Sequence, residues 1–134
     1  MSEANIDLVR RIFDSVNRGD ADGALAAASD DFEMDWSTSI GPAKGVYRGK
    51  EQVREVWASY MDAFDSLEWN AEEFIEVDDF RLIVVNHNRA RGRGSGAEVD
   101  AVGAQLWTLR GGEAQSVTLY QSKADALEAA GLRE

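Results

Sequence analysis

The sequence predicts an α+β fold, and three observations support that class. In the first half of the chain apolar residues recur at helical spacing, over residues 3–18 and again over 50–65. In the second half, long stretches rich in β-forming residues alternate apolar and polar side chains. Turns that contain glycine join these stretches, which favours a meander of long antiparallel strands.

Length, charge and cysteine content limit the classes of function. The chain has 134 residues, enough for one domain over residues 1–134 with a single core. Its 25 Asp and Glu residues against 14 Lys and Arg residues give a formal net charge of −11, which repels nucleic acids and anionic lipids. The absence of cysteine is compatible with a reducing compartment, and no apolar run reaches the roughly 18 residues of a membrane span. We therefore expect a cytoplasmic protein whose partners are neither nucleic acid nor membrane.

Two helices are predicted at the start of the chain. The first covers residues 3–18, and Gly19 follows as a residue that ends helices. Its apolar face consists of Ile6, Val9, Ile12, Phe13 and Val16. Asp20 is placed to cap a second, shorter helix that runs to Ala28, and residues 29–31 then predict a turn.

The next segments predict a strand, a loop and a third helix. Apolar and polar residues alternate over 32–37, which is typical of a half-buried strand. Gly41 and Pro42 predict a loop over 38–45. The third helix is predicted over 50–65, with an apolar stripe of Val53, Val56, Trp57, Tyr60, Met61 and Phe64.

Four strands are predicted after the third helix, over residues 67–77, 80–93, 97–110 and 115–121. In the first of them the apolar positions change parity between Ala71 and Phe74, which predicts a β-bulge. Residues 82–85 are apolar on both faces, so both faces of the sheet are expected to be covered there. Residues 78–79 predict a turn, residues 91–96 a hairpin tip, and residues 124–130 a short helix that ends at Gly131.

Several short segments occur in the order in which a known superfamily has them. They are VNRGDADG at residues 16–23, DDFEMD at 30–35, YRG at 47–49 ahead of VR at 53–54, GSG at 94–96, LWTLR at 106–110 and ALEAAGL at 126–132. With these segments and this order of elements, nearly the whole chain resembles the SnoaL-like branch of the nuclear transport factor 2-like, or ketosteroid isomerase-like, superfamily. No single segment is specific, and the resemblance depends on their order.

The resemblance implies a cone-shaped fold of the cystatin-like type, with the element order α-β-α-β-β-β-β. A strongly curved antiparallel sheet wraps around three helices from the N-terminal half, and the open end of the cone leads to an apolar pocket. Members usually dimerise through the outer face of the sheet, so a homodimer is expected. The superfamily includes isomerases, cyclases, dehydratases, epoxide hydrolases and non-catalytic binding modules, so the fold places a site without defining its chemistry.

The chain lacks the catalytic residues that steroid isomerases of this superfamily use. The positions of their proton-shuttling Asp, oxyanion Tyr and protonated Asp hold Trp36, Ile12 and Gln105. A dienolate mechanism needs a carboxylate base and donors aimed at the oxyanion. Asp35, next to Trp36, and His87, the one histidine, are weak candidates for acid–base catalysis. Because Asp35 also fits an acidic rim and His87 a surface position, the sequence leaves open whether the chain is an enzyme.

The residues expected to face the pocket are aromatic or carry an amide. They are Trp36, Trp57, Tyr60, Asn86, Asn88, Gln105 and Trp107. In one interpretation the rings hold a flat ligand that Gln105 orients, in a cavity of roughly 300 Å³ or more lined by Trp36, Trp57 and Trp107. In the other interpretation the rings simply fill the core.

Alternation over residues 80–93 predicts which side chains face the interior. The inward set is Leu82, Val84, Asn86 and Asn88, and the outward set is Ile83, Val85, His87, Arg89 and Arg91. The outward cations are expected to meet acidic groups of a second subunit. A buried amide without a partner costs about 1–3 kcal/mol, so the two inward amides need partners such as Gln105 or a ligand.

The sequence supports two hypotheses for function. In the first, a SnoaL-like protein binds a small apolar or aromatic molecule in the cone, with any isomerase, cyclase or hydrolase activity left unassigned. In the second, a non-catalytic dimeric binding or scaffold domain has a cavity filled by its own side chains. No set of His, Asp and Glu has the spacing of metal ligands, and no glycine-rich loop precedes a helix to hold a phosphate. Neither a metal nor another cofactor is therefore expected.

Overall fold

Four helices and six strands form from the described residues, 2–39 and 44–132, of a computed structural model. The helices are α1 (Ser2–Asn17), α2 (Ala21–Ala24), α3 (Lys50–Asp62) and α4 (Lys123–Ala129). The strands are β1 (Ala28–Asp35), β2 (Val46–Arg48), β3 (Phe64–Glu76), β4 (Arg81–Gly92), β5 (Glu98–Arg110) and β6 (Glu113–Tyr120). Gly41 and Pro42, which predict a loop, lie outside the described residues.

The six strands form one curved sheet in the order β2-β1-β6-β5-β4-β3. Strands β3 to β6 are successive antiparallel neighbours, which confirms the predicted meander. Strand β1 pairs antiparallel with β2 but parallel with β6, so the sheet is not antiparallel throughout. Alternation of side chains predicts the face of a strand but not its direction relative to a neighbour, so the parallel pair was not foreseen.

Helices α1, α2 and α3 pack on one face of the sheet, which we call the inner face. The larger cluster of buried apolar side chains lies between them and includes Phe13 and Val53 from the helices and Leu82, Leu109 and Val117 from the strands. Burial of such side chains contributes roughly 25 cal/mol per Å² of apolar area and is the main source of stability. A curved sheet around three helices is the predicted α+β fold, which is thereby confirmed.

The end of α1 is fixed to strand β3. Gly19 has a φ angle of +73° and ends the helix, as predicted. Asn17 Nδ2 donates to the carbonyl oxygen of Trp69 at 3.0 Å, and the backbone N–H of Trp69 donates to Asn17 Oδ1 at 2.6 Å. The rings of Phe13 and Trp69 pack edge to face with their centroids 5.2 Å apart. These contacts hold Trp69 in a fixed position on the inner face.

Helix α2 ends, and β1 begins, earlier in the chain than the sequence predicts. Asp20 caps α2 by accepting a hydrogen bond from the Gly23 N–H at 2.8 Å, as expected. The helix nevertheless ends at Ala24, and residues 29–31, predicted as a turn, lie within β1. That prediction is wrong because β1 is irregular: its register with β6 shifts between Ala28 and Glu33, and this bulged segment accommodates the turn-forming residues.

Helix α3 ends before its predicted end, and Phe64 belongs to β3 rather than to the helical stripe. The hairpin tip between β4 and β5 accounts for the difference. The Arg93 side chain donates to the carbonyl oxygens of Asp62 and Phe64, at 2.8 and 3.3 Å. The backbone N–H of Arg93 donates to the carbonyl oxygen of Ala63. These carbonyl groups thus bond to a distant segment instead of to a further helical turn.

Two details of strand pairing complete the sheet. The register of β3 against β4 shifts between Ala71 and Glu73, which confirms the predicted bulge. Strand β2, which places Tyr47 opposite Met34, was not predicted. Three residues are too few to show an alternation pattern.

Helix α4 packs on the opposite face of the sheet, the outer face. Its residues Ala126 and Leu127, together with Ala130 directly after the helix, form a second buried cluster with Ile83 and Ala104. Residues 82–85 are therefore covered from both sides, as their apolar pattern predicts. No helix in the part of the chain that the structure describes is long and apolar enough to cross a membrane.

Candidate functional site

A cavity of about 190 Å³ lies on the inner face of the sheet beside the first half of β5. We call this region the open end of the cone, since Val99 along the cavity is 44% exposed. Strand β6 ends at Tyr120, opposite Ala104, so the earlier residues of β5 have no β6 neighbour. The sheet is therefore narrower at this end, and the cavity opens there.

Three aromatic side chains from three different elements form one wall of the cavity. Trp36 follows β1, Tyr60 lies on α3, and Trp69 lies on β3. The ring centroids of Trp36 and Tyr60 are 5.2 Å apart, and those of Trp36 and Trp69 are 6.1 Å apart. The Trp69 Nε1–H donates to the Tyr60 hydroxyl oxygen at 3.3 Å. Since each ring contacts the next, the wall is apolar and its rings restrain one another.

Amide side chains from β4 and β5 form another part of the lining. Asn86 and Asn88 lie on the inner face, as the alternation predicts, and Gln105 joins them from β5. Gln105 Oε1 accepts a hydrogen bond from the Trp107 Nε1–H at 2.9 Å. By contrast, the Oδ1 atoms of both asparagines and the Nε1 atom of Trp36 are buried with no hydrogen-bond partner among the described residues. Buried polar atoms of this kind are rare in folded proteins.

Trp57 and Trp107, also expected in the pocket, lie deeper in the molecule, in the region that we call the closed end. They are 1% and 0% exposed. Trp57 Nε1–H donates to Met34 Sδ at 2.6 Å, and the Phe32 ring centroid lies 6.3 Å from that of Trp57 and 6.1 Å from that of Trp107. The two rings fill the core, and they do not line this cavity. The cavity is correspondingly smaller than the roughly 300 Å³ expected from the sequence.

Asp35 adjoins Trp36 in sequence but lies on the outer face of β1. Its Oδ1 accepts a hydrogen bond from the Ser37 N–H at 3.0 Å. The pKa of Tyr120 lies above its ordinary value of 10.0, first because of burial and second because of the negative charge of Asp35. Neighbouring side chains of a strand point to opposite faces, so the Asp35 carboxylate is directed away from the cavity.

His87 also lies on the outer face, between the two inward asparagines. Its Nε2 atom hydrogen-bonds to Asp100 Oδ1, and its Nδ1 atom lies 3.6 Å from Glu72 Oε2. The hydrogen bond with His87 holds the pKa of the Asp100 carboxyl below its ordinary value of 3.8. The imidazole is therefore part of a charged surface rather than of the cavity.

The outward cations of β4 find acidic partners within the same chain. Arg91 Nη2 lies 3.1 Å from Glu98 Oε2, and Arg89 Nε lies 3.8 Å from Asp100 Oδ2. These partners were expected on a second subunit, but β5 supplies them because it is the antiparallel neighbour of β4. Exposed pairs of this kind contribute little to stability.

The lining is uncharged at neutral pH. No residue along this cavity in the described part of the chain is Asp, Glu, Lys, Arg or His, and its titratable groups are Tyr60 and Tyr120. Burial raises the pKa of Tyr60 above 10.0, although the hydrogen bond from Trp69 opposes that shift. A charged ligand would lose its hydration here without gaining a counter-charge. Among the same described residues, no group of three or more His, Cys, Asp or Glu could hold a metal ion.

Several lining residues were not singled out from the sequence, among them Phe64, Trp69, Val99, Ala101 and Leu119. Trp69 had a usable signal, because it alternates with other apolar residues along β3. Val99 and Ala101 likewise share the parity of Gln105 on β5. Parity predicts the face of a strand but not the depth of a residue in the cone, so it did not separate the cavity from the core.

A curved sheet wrapped around three helices, with a cavity at one end, defines the class of fold known as nuclear transport factor 2-like or ketosteroid isomerase-like. A profile of the SnoaL-like domain matches residues 9–117, and the chain belongs to that family. No curated protein sequence matches it.

Solved structures of this fold superpose on nearly the whole chain at low identity. TerC, co-crystallised with polyporic acid, is 18% identical, with a TM-score of 0.75 over 96% of this chain and 98% of its own. RV0760c from Mycobacterium tuberculosis, in complex with estradiol-17beta-hemisuccinate, is 18% identical, with a TM-score of 0.76 over 90% and 95%. SalBIII, an epoxide hydrolase/cyclase-like enzyme of pyran ring formation in salinomycin, is 18% identical, with a TM-score of 0.76 over 92% and 95%. These similarities show the fold alone.

Proposed function

We propose that the chain binds a small, flat, apolar or aromatic molecule in the cavity at the open end. The observation that carries this proposal is the wall of Trp36, Tyr60 and Trp69 along a cavity of about 190 Å³. An apolar cavity of about 150 Å³ takes up benzene, so this volume suits one ring or two fused rings. TerC and RV0760c, which share the fold, were solved with small molecules, and this agrees with the proposal.

The lining supports binding rather than proton transfer. General acid–base catalysis needs a titratable group within hydrogen-bond reach of the reacting atom. The two candidates from the sequence, Asp35 and His87, make their contacts on the outer face. We therefore propose a binding site and assign no isomerase, cyclase or hydrolase step to it.

Isothermal titration calorimetry with 4-methylacetophenone tests the proposal. We expect a dissociation constant below about 1 mM. The variant Ala101→Phe, which places a ring in the cavity, is expected to abolish the binding heat. Val46→Phe is the matched control, since it adds the same ring at an exposed position of β2 outside the cavity. Absence of binding by the parent protein, both of this ketone and of a hydroxyl-bearing analogue of the same size, would contradict the proposal, and so would unchanged binding by Ala101→Phe.

A second candidate function is a non-catalytic scaffold domain whose interior is filled by its own side chains. The observation that favours it is the closed end, where Trp57 and Trp107 occupy the space that the sequence analysis assigned to a ligand. This hypothesis predicts no binding of apolar probes. The titration above therefore discriminates between the two functions.

We further propose a homodimer through the part of the outer face that α4 leaves uncovered. The exposure of Val102 beside the ion pairs of β4 and β5 supports this proposal. Sedimentation velocity at micromolar concentration is expected to give twice the chain mass, and a single 14.7 kDa species would contradict it. A single domain over residues 1–134 and a cytoplasmic location stay predictions, which limited proteolysis and cell fractionation would test.

A further inference from the structure

Three buried polar atoms at the cavity indicate which hydrogen-bonding groups a ligand would need. They are Asn86 Oδ1, Asn88 Oδ1 and Trp36 Nε1, each buried without a hydrogen-bond partner among the described residues. Asn86 is 2% exposed and Trp36 is 4% exposed, so bulk water does not solvate them. All three residues line the cavity. A molecule bound there is therefore in position to supply the missing partners.

The two asparagines act as a pair because of their place on β4. Residues two apart on a strand point to the same face, about 7 Å from one another. Gln105, which also lines the cavity, does not satisfy them: its Oε1 accepts from the Trp107 Nε1–H, and neither asparagine Oδ1 accepts a hydrogen bond from any of the described residues. The pair thus presents acceptor oxygens along one side of the cavity, and the Trp36 indole presents a donor.

We propose that the ligand is an uncharged aromatic compound that donates a hydrogen bond to the Asn86–Asn88 pair and accepts one from Trp36. This inference rests on the binding function proposed above and names the chemical class of the ligand. A neutral ring with a hydroxyl group and a carbonyl group has the required donor and acceptor. A ligand with an ionised carboxylate is excluded from this class, because the lining has no cation to compensate its charge.

Matched probes separate the polar contribution from simple apolar burial. 4-Hydroxyacetophenone, kept below the pKa of its hydroxyl, has the donor and the acceptor, whereas 4-methylacetophenone replaces the donor by a methyl group of similar size. We expect the hydroxyl compound to bind about tenfold more tightly, because the methyl compound leaves the amides unpaired. 4-Hydroxybenzoate, the anionic analogue, is expected not to bind.

The variant Asn86→Leu tests the amide itself, since leucine has a similar shape without the polar atoms. We expect the tenfold preference for the hydroxyl compound to disappear. We also expect the melting temperature of the free protein to rise by about 3 °C, because a buried amide oxygen without a hydrogen-bond partner is removed. Asn70→Leu is the matched control: Asn70 lies opposite His87 on β3, away from the cavity lining, and its substitution should leave both affinities unchanged.

Trp36→Phe tests the acceptor on the ligand. 4-Isopropylphenol lacks the carbonyl oxygen of 4-hydroxyacetophenone but has nearly the same shape. The parent protein should prefer the carbonyl compound, and Trp36→Phe should remove that preference, because phenylalanine has no N–H group to donate.

The outcomes distinguish this inference from the proposed function. If none of the uncharged probes binds the parent protein, the proposed function fails and this inference fails with it. If the hydroxyl and methyl compounds bind equally, the binding function stands and the inference about the ligand is overturned. A fall in melting temperature on Asn86→Leu would also overturn it, because the amide would then be satisfied within the free protein.

Discussion

The closed end and the open end of the cone are built from the same residue types, yet they differ in how their polar atoms are satisfied. At the closed end each indole N–H has a partner, Met34 Sδ for Trp57 and Gln105 Oε1 for Trp107. At the open end Trp69 donates to Tyr60, but Trp36 and the two asparagines have buried atoms without partners. Aromatic content alone therefore does not distinguish the two ends, whereas the buried polar atoms without partners do.

The same comparison separates stability from binding. Rings that are fully packed and hydrogen-bonded contribute to the free energy of unfolding, and their loss leaves a cavity. Groups that line a cavity with unpaired atoms cost stability, and in the proposed function a ligand supplies their partners. Substitutions at the closed end should therefore destabilise the protein, whereas substitutions at the open end should mainly change binding.

Trp107→Ala is expected to have the largest effect. Because Trp107 is fully buried at the closed end, the variant should lose about 3–5 kcal/mol of the free energy of unfolding. Val102→Ala, at the exposed edge of the open end, is the comparison and should lose less than about 0.5 kcal/mol. Urea denaturation measures both. Similar losses in the two variants would show that the two ends do not differ in packing.

Asn17→Ala tests how the wall of the open end is held. This variant removes both hydrogen bonds to the backbone of Trp69, and we expect a loss of about 2 kcal/mol in urea denaturation. Asn5→Ala, on the same helix, removes a single exposed bond to the Asp79 carbonyl oxygen and should cost less than about 0.5 kcal/mol. Equal losses would mean that packing rather than hydrogen bonding positions Trp69.

The pKa of Tyr60 predicts a pH effect at the open end. Burial raises this pKa above 10.0, so the unfolded chain loses the phenol proton at a lower pH than the folded protein does. The stability that Tyr60 contributes is therefore fully present below about pH 10, and it is lost as the pH rises toward the pKa of Tyr60 in the folded protein. Urea denaturation across that range should show a steeper decline for the parent protein than for Tyr60→Phe. Parallel declines would contradict the raised pKa of Tyr60.

The smallest effect is expected on the outer face, where polar groups pair near water. His87→Gln removes the imidazole that lowers the pKa of Asp100, so that pKa should move back toward 3.8. The pKa of Asp100 is lower in the folded protein than in the unfolded chain. The stability that this carboxylate contributes is therefore present above the unfolded-state pKa and is lost as the pH falls through the folded-state pKa. Carboxyl NMR titration measures the shift. An unchanged Asp100 pKa would contradict the assignment of His87 as its partner.

Local patterns were sufficient for most elements of the fold. Helical spacing predicted α1 and α3, alternation predicted the meander, and the parity change near Ala71 predicted the bulge of β3. The turn predicted at residues 29–31 failed because those residues form the irregular segment of β1, where the register with β6 shifts between Ala28 and Glu33. The early end of α3 likewise depends on Arg93, which is distant in sequence. Contacts between segments that are distant in sequence do not change the local spacing of apolar residues, so they cannot be predicted from it.

For the candidate site, alternation predicted the faces of Asn86, Asn88 and His87 on β4. It also placed Trp107 and Gln105 on the inner face, where both are buried. It did not distinguish Trp57 and Trp107, which fill the core, from Trp36 and Trp69, which line the cavity. Depth along the cone depends on where β6 ends and on how the helices close the other end.

The sequence by itself determined the fold class, the family and the faces of the residues of β4 and β5, because these follow from local spacing and segment order. Only the tertiary structure decided which aromatic rings are packed in the core and which line the cavity. It also decided which polar atoms of the cavity lining lack a hydrogen-bond partner. The physical reason is that a side chain's direction is set by its own strand or helix. Its partners are set by every element packed against it.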